Sequence, residues 1–330
     1  MKMMMNDNLY NLYLKTLQPE IEDKSYRVAS INDQLSHRVG CSNLGYPMLF
    51  IECCDKDHLS DIKLSLFRVL FNRRCSLTDI EKRSVIEKEY TIIEMATEDQ
   101  DLTRYFFQVV SIVMQRLPAR PKVALLKKEL SKIIKIFTVP QKFSKDVVRG
   151  LWAELLVIER STDPEYLIKA WHEDPEDKYD FNDSIDKIEV KSTTGNSRTH
   201  VFSLEQLYPN DSSKLLVASI LVNSTGIGKT IFDLVDMIST NIGDTDCSLK
   251  LNEIVLKTIG MHIDECNNIF FDYNSAIDSI RFYNSTAIPS IDKNNVPISV
   301  SAVHFRSDLT NSLSIEEEGY DENSILFKSL

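Results

Sequence analysis

Tyr179-Asp180-Phe181, followed after a short turn by Ile188-Glu189-Val190-Lys191-Ser192-Thr193-Thr194, is the stretch on which the fold turns. Both segments are rich in aromatic and β-branched residues and read as strands. Side chains alternate along a strand, so Glu189 and Lys191 leave one face about 7 Å apart while Ile188 and Val190 enter the opposite layer. Asp180 precedes Glu189 by nine positions, a spacing that suits one hairpin. The hairpin sets two carboxylates and an ammonium at one end of a sheet. Such a trio can hold a hard divalent cation and leave the lysine to handle an attacking water, as phosphodiester cleavage requires.

Upstream, Ser144 can cap a helix running to about Arg160, on which Val147, Leu151, Glu154 and Ile158 recur at spacings of three and four. Glu154 then lies on an apolar, core-facing stripe. A carboxylate there must be hydrogen-bonded, ion-paired (with Arg149 or Arg160, at the edge of the stripe) or metal-bound, because unpaired burial costs several kcal/mol. Downstream, Thr199 to Phe202 reads as a third strand, and Ser203 starts a short helix with Gln206 at its third position. The apolar run Leu215 to Val222 reads as a central strand covered on both faces.

Gly150-Leu151-Trp152-Ala153-Glu154-Leu155-Leu156, Tyr179-Asp180-Phe181, Glu189-Val190-Lys191-Ser192-Thr193 and His200-Val201-Phe202-Ser203-Leu204-Glu205-Gln206-Leu207 together resemble the PD-(D/E)xK nuclease superfamily. More narrowly, they resemble a bacterial restriction- and defence-associated subfamily first catalogued as a domain of unknown function. The resemblance covers roughly 144 to 310, and Tyr179 stands where the superfamily's name places proline. It implies an α/β restriction-endonuclease-like core, a mixed sheet flanked by helices. It also implies that Asp180 and Glu189 are metal ligands, Lys191 the catalytic lysine and Glu154 the helix-borne acid that completes or orients the metal site. The implied cofactor is Mg²⁺ or Mn²⁺. The implied partners are DNA and the ATPase, helicase-like or methyltransferase subunits of a restriction or phage-defence system.

Gln206, Arg198 and His200 are further candidates for contacts to substrate phosphate or water. The net charge of −11 argues against a simple nucleic-acid coat, since phosphate binding depends on lysine and arginine. Its distribution is uneven. From Arg116 to Arg149 there are ten basic residues against two acids, and Lys128, Lys132 and Lys135 share one helix face there. That face is a candidate substrate surface or simply a solvated one.

The 330 residues are enough for more than one core. The expected organisation is a β-rich N-terminal domain (1–97), a basic helical linker (98–142), the nuclease core (143–245) and an α/β extension with an acidic tail (246–330). Strands are expected at Tyr26 to Ile31, Pro47 to Cys53, Lys63 to Phe71 and Glu89 to Met95, and later at Ile277 to Asn284 and Val296 to Phe305. No apolar run approaches the roughly 18 to 20 residues of a membrane span, and a cytoplasmic protein is expected. The six cysteines lack zinc-ligand spacing. Gly226-Ile227-Gly228-Lys229-Thr230 imitates the end of a phosphate-binding loop, but Asn223 occupies the first glycine position, so a strand-to-helix turn capped by Thr230 is the better reading.

Three functions fit these features: a metal-dependent DNA endonuclease, a non-catalytic nucleic-acid-binding or scaffold subunit that keeps the fold, and an enzyme acting on another phosphate ester. The Asp180, Glu189 and Lys191 set favours the first. Cutting both strands with one active site per strand favours a homodimer.

Overall fold

The chain, in a computed structural model, forms two units, Met1–Pro140 and Gln141–Leu330. The structure describes residues 3–17, 25–31, 36–57, 59–64, 66–138, 144–173, 177–209, 213–260, 262–297, 299–315, 319–321 and 323–330. Side chains of 3–8, 132–133, 135–138 and 293 lie outside the description. Among the described residues, no helix is long and apolar enough to cross a membrane.

The first unit runs α1 (Met3–Thr16), β1 (Tyr26–Ser30), β2 (Arg38–Cys41), β3 (Pro47–Ile51), β4 (Ile62–Lys63), β5 (Phe67–Asp79), β6 (Ser84–Met95), α2 (Gln100–Arg116) and α3 (Val123–Thr138). Its strands follow the order β1-β2-β3-β6-β5-β4, and β1 also pairs in parallel with the far end of β5, closing the sheet on itself. The helices expected in a linker over 98–142 belong to this unit. Phe106 on α2 packs against Phe67 of β5 with the rings tilted, and the Asp55 carboxylate accepts the Val123 N–H at the start of α3. Their apolar stripes need cover, and the sheet provides it.

The second unit runs α4 (Lys145–Arg160), α5 (Pro164–Ala170), β7 (Phe181–Asn182), β8 (Lys187–Thr193), β9 (Thr199–Ser203), α6 (Leu204–Leu207), β10 (Leu215–Leu221) and β11 (Ser224–Thr225). It continues with α7 (Ile231–Asn241), α8 (Thr245–Ile259), α9 (Ile263–Asn267), β12 (Phe270–Phe271), α10 (Tyr273–Ser279), β13 (Arg281–Asn284), β14 (His304–Asp308) and α11 (Ile325–Lys328). Ser144, Ser203 and Thr230 each cap the helix that the sequence assigns to them.

The central sheet has the order β13-β10-β8-β7, with β10 and β8 parallel and both outer pairings antiparallel. Because β13 belongs to this sheet, part of the 246–330 stretch is integral to the core. Val217 of β10 lies beside Glu189 of β8 in register. Val217, Leu215, Phe202, Leu207, Tyr179 and Tyr283 form a buried cluster on that face.

The strand expected at Thr199 to Phe202 forms, as β9, and pairs with β14. Two expectations change. Ile277 to Asn284 is helix first, because Asp272 caps α10 by accepting the Ser275 N–H, and only Arg281 onward is strand. Val296 to Phe305 becomes strand only at His304, since Pro297 accepts the Val300 N–H in a turn and Ala302 sits at positive φ; Ile298 lies outside the described residues.

The Gly226-Ile227-Gly228-Lys229-Thr230 turn has a packing role. Lys229 and Phe271 exchange both backbone hydrogen bonds, at 3.0 and 3.1 Å, and the Trp152 indole N–H donates to the Lys229 carbonyl at 3.1 Å. A Cβ on Gly228 would overlap the Phe271 carbonyl. Gly228→Ala should therefore lower stability by about 2 kcal/mol, or roughly 5 °C in Tm. Calorimetry checks this, and an unchanged Tm would contradict the packing role.

Candidate active site

Asp180 reaches its position because His172 and Trp171 form a short antiparallel bridge with it and Phe181. The His172 N–H donates to the Asp180 carbonyl at 2.8 Å, and Trp171 bridges Phe181. Opposite residues of an antiparallel pair project on the same face, so the side chains of His172 and Asp180 are neighbours. From Asp180 the chain turns back through Asp183, whose Oδ1 accepts the N–H groups of Ile185 and Asp186, with Ser184 at positive φ. The returning strand brings the Val190 N–H onto Asp180 Oδ2 at 2.6 Å. The hairpin expected from the nine-residue spacing thus places Asp180 against the strand that carries Glu189.

Glu189 is 3 % exposed. Its Oε1 accepts from Lys191 Nζ at 2.6 Å and from Gln206 Nε2 at 3.0 Å. Its Oε2 is buried and meets no hydrogen-bond donor among the described residues. Gln206 is held for this task by the capping box of α6, where its Oε1 accepts the Ser203 N–H. Lys191 Nζ also sits 5.5 Å from the Phe202 ring centroid, a cation–π contact that steadies it.

Glu154 projects from α4 into the same place. Oε2 accepts the Trp171 indole N–H at 2.7 Å and meets His172 Nε2 at 3.0 Å. It pairs with neither arginine weighed above; Arg149 bonds Asp146 at 2.8 Å instead. Nor is its stripe uniformly buried, since Val147 is exposed while Val148 and Leu151 are covered. Ligand atoms of Glu154, His172 and Asp180 all lie within 4.8 Å of one another.

The electrostatics follow from this crowding. Burial, then Glu189 and Glu154, push the Asp180 carboxyl well above the ordinary carboxylate range, against the Val190 hydrogen bond and Lys191. Burial also raises Glu189, with Lys191 opposing and Glu154 adding to the shift. Burial lifts the Tyr179 phenol to about 12, with Glu189 contributing, and its hydroxyl finds no partner among the described residues. Three carboxylates thus face one ammonium, and buried carboxylates of like charge resist ionising together. The donor atoms of Glu154, His172 and Asp180 fit a divalent cation, which would offset the excess negative charge; Glu189 lies outside that 4.8 Å cluster, its buried Oε2 unpartnered among the described residues.

Arg198 and His200, weighed as candidate substrate contacts, are engaged in internal hydrogen bonds. The Arg198 guanidinium donates to the Ser219 carbonyl at 2.7 Å, to Ser219 Oγ at 3.0 Å and to the Ser279 carbonyl at 2.5 Å. His200 is buried against Ser219 Oγ at 2.8 Å, and burial with the charges of Lys191 and Arg198 drops its pKa to about 4. Lys128 is exposed on α3 of the first unit, and the side chains of Lys132 and Lys135 lie outside the described residues. The sequence reading missed His172 and Trp171. A Trp-His pair eight residues before the aspartate was the available signal, but only the bridge to Phe181 brings it into the site.

A profile of the family described as "Putative PD-(D/E)XK family member, (DUF4420)" matches residues 13–310. The chain belongs to this family. The match runs through both units, so the PD-(D/E)XK family extends here well beyond the roughly 144 to 310 over which the motifs are legible. The described architecture, mixed α/β with Asp180, Glu189 and Lys191 on one hairpin, is consistent with a PD-(D/E)XK fold. No curated protein and no solved structure matches the chain.

Raised carboxyl groups make a stability prediction. The folded protein keeps protons on Asp180 and Glu189 to higher pH than the unfolded chain does. Cation-free protein therefore loses stability as pH rises from the ordinary carboxylate range near about 4 through the raised values. Asp180→Asn keeps an acceptor for Val190 and removes one charge. In EDTA at neutral pH it should be about 1–2 kcal/mol more stable than the parent, a difference that shrinks as pH falls toward 4. Urea unfolding at two pH values checks this, and a variant less stable than the parent at neutral pH would contradict it.

Proposed function

We propose that the chain is a metal-dependent DNA endonuclease acting through Asp180, Glu189, Lys191 and Glu154. The observation that carries this reading is the buried Glu189 oxygen left without a donor beside Asp180, with a lysine on the same strand. Mg²⁺ or Mn²⁺ held by Asp180 and Glu189, with Glu154 beside them, would supply charge neutralisation at the phosphate and a more acidic water.

The protein's own groups do the rest. Gln206 and Lys191 both occupy Glu189 Oε1, so the carboxylate is oriented with Oε2 turned to the cation site. Lys191 is 20 % exposed at its side chain and can hold an attacking water by donating to it. Trp171 and His172 fix Glu154 by its Oε2. Arg149 adds a cation near this path: its charge reaches His200, as that of Lys191 does, and its Nε is without a hydrogen-bond partner among the described residues. It suits a neighbouring phosphate of the substrate strand.

The net charge of −11 supports a further element of the proposal, that DNA affinity comes partly from other subunits of a restriction or phage-defence system, or from a second copy of the chain. The direct test is purified protein with supercoiled plasmid and Mg²⁺ or Mn²⁺. The parent should nick or linearise it, whereas Asp180→Ala and Lys191→Ala should be slower by about 10²–10⁴-fold. DNA binding without cleavage in either metal would favour the scaffold reading. Cleavage of RNA or a nucleotide ester but not DNA would favour the third, and undiminished activity in Asp180→Ala would place the chemistry elsewhere.

A further inference from the structure

His172 belongs to no motif in the sequence, yet it sits at the centre of the acidic cluster. Its ring is 8 % exposed. Nε2 lies 3.0 Å from Glu154 Oε2, and Nδ1 is buried with no hydrogen-bond partner among the described residues. The backbone bridge to Asp180 sets the residue beside that one, and one ring nitrogen of His172 lies with oxygens of Asp180 and Glu154 in a cluster within 4.8 Å. An imidazole that donates from one nitrogen to a carboxylate has its tautomer set, and the other nitrogen is left with an unused lone pair. That arrangement, carboxylate to Nε2–H with Nδ1 free, is the one in which a histidine binds a metal ion.

We propose that His172 is itself a metal ligand beside Asp180, and that the site consequently prefers a nitrogen-accepting divalent ion such as Mn²⁺ over Mg²⁺. The inference rests on the metal-dependent reading above and sharpens it. Asp180, Glu189 and Glu154 alone would present oxygen donors, the set that suits Mg²⁺ and Ca²⁺. One imidazole changes the balance, because Mg²⁺ binds nitrogen weakly whereas Mn²⁺ and the later first-row ions accept it. The Trp171 indole keeps its own bond to Glu154 whatever becomes of His172, so the carboxylate stays anchored when the imidazole is removed.

The test uses the full chain, stripped with EDTA and titrated separately with MnCl₂ and MgCl₂ by calorimetry, for the parent, His172→Ala, His172→Gln and Asp180→Ala. Pulsed electron paramagnetic resonance of the Mn²⁺-loaded protein supplies a readout independent of activity. The parent should bind Mn²⁺ more than about tenfold tighter than Mg²⁺, and its spectrum should show modulation from a directly bound nitrogen. His172→Ala should lose that modulation and about 10–100-fold of Mn²⁺ affinity, with a smaller effect on Mg²⁺. Asp180→Ala should lose both metals. Mn²⁺ bound to the parent without nitrogen modulation would overturn the His172 assignment and leave the nuclease reading standing, whether or not the variants fold. Failure of both metals to bind the parent would overturn both readings.

Discussion

Crowding of three carboxylates around a single ammonium is the interaction on which the second unit depends. Burial with Glu189 and Glu154 raises the proton affinity of Asp180, burial with Glu154 raises that of Glu189, and Lys191 offsets only part of each shift. Isolated buried charge costs several kcal/mol, so a protein assembled for stability alone would place apolar residues at these positions. The surrounding structure instead holds each carboxylate where it is. Val190 donates to Asp180, Gln206 and Lys191 to Glu189, and Trp171 with His172 anchors Glu154. Local instability of this kind is expected where a site must receive a cation and a charged substrate.

The rest of the unit supplies rigidity. Parallel pairing of β8 with β10 fixes Glu189 beside Val217, over the buried cluster of Phe202, Leu207 and Leu215. Arg198 and His200 meet at Ser219, tying β9 to the central strand. On α4, Trp152 locks the helix to the Lys229 and Phe271 bridge, so Glu154 is presented from a fixed element. Polar residues that look like substrate contacts in the sequence thus hold β9 against the central strand.

What was legible in the sequence was whatever is decided within a few residues. Strand alternation placed Glu189 with Lys191, the Ser203 cap predicted the position of Gln206, and the apolar run at Leu215 marked the central strand. The family membership was legible for the same reason, because its motifs are local. Features decided by distant contacts were not. His172 enters through a two-residue bridge to a strand nine positions away, β9 finds its partner more than a hundred residues later at β14, and Arg198 is consumed by carbonyls of Ser219 and Ser279. The start of α10 was missed because the Asp272 cap competes with a sequence that alternates like a strand.

The central claim is that one divalent ion relieves the charge crowding at Asp180 and Glu189. Anomalous scattering from crystals grown with Mn²⁺ tests it most directly. The account predicts a manganese peak at about 2.0–2.3 Å from a carboxylate oxygen of each residue, with Glu189 Oε2 among the ligands. A peak elsewhere, with these two carboxylates still unligated, would contradict it.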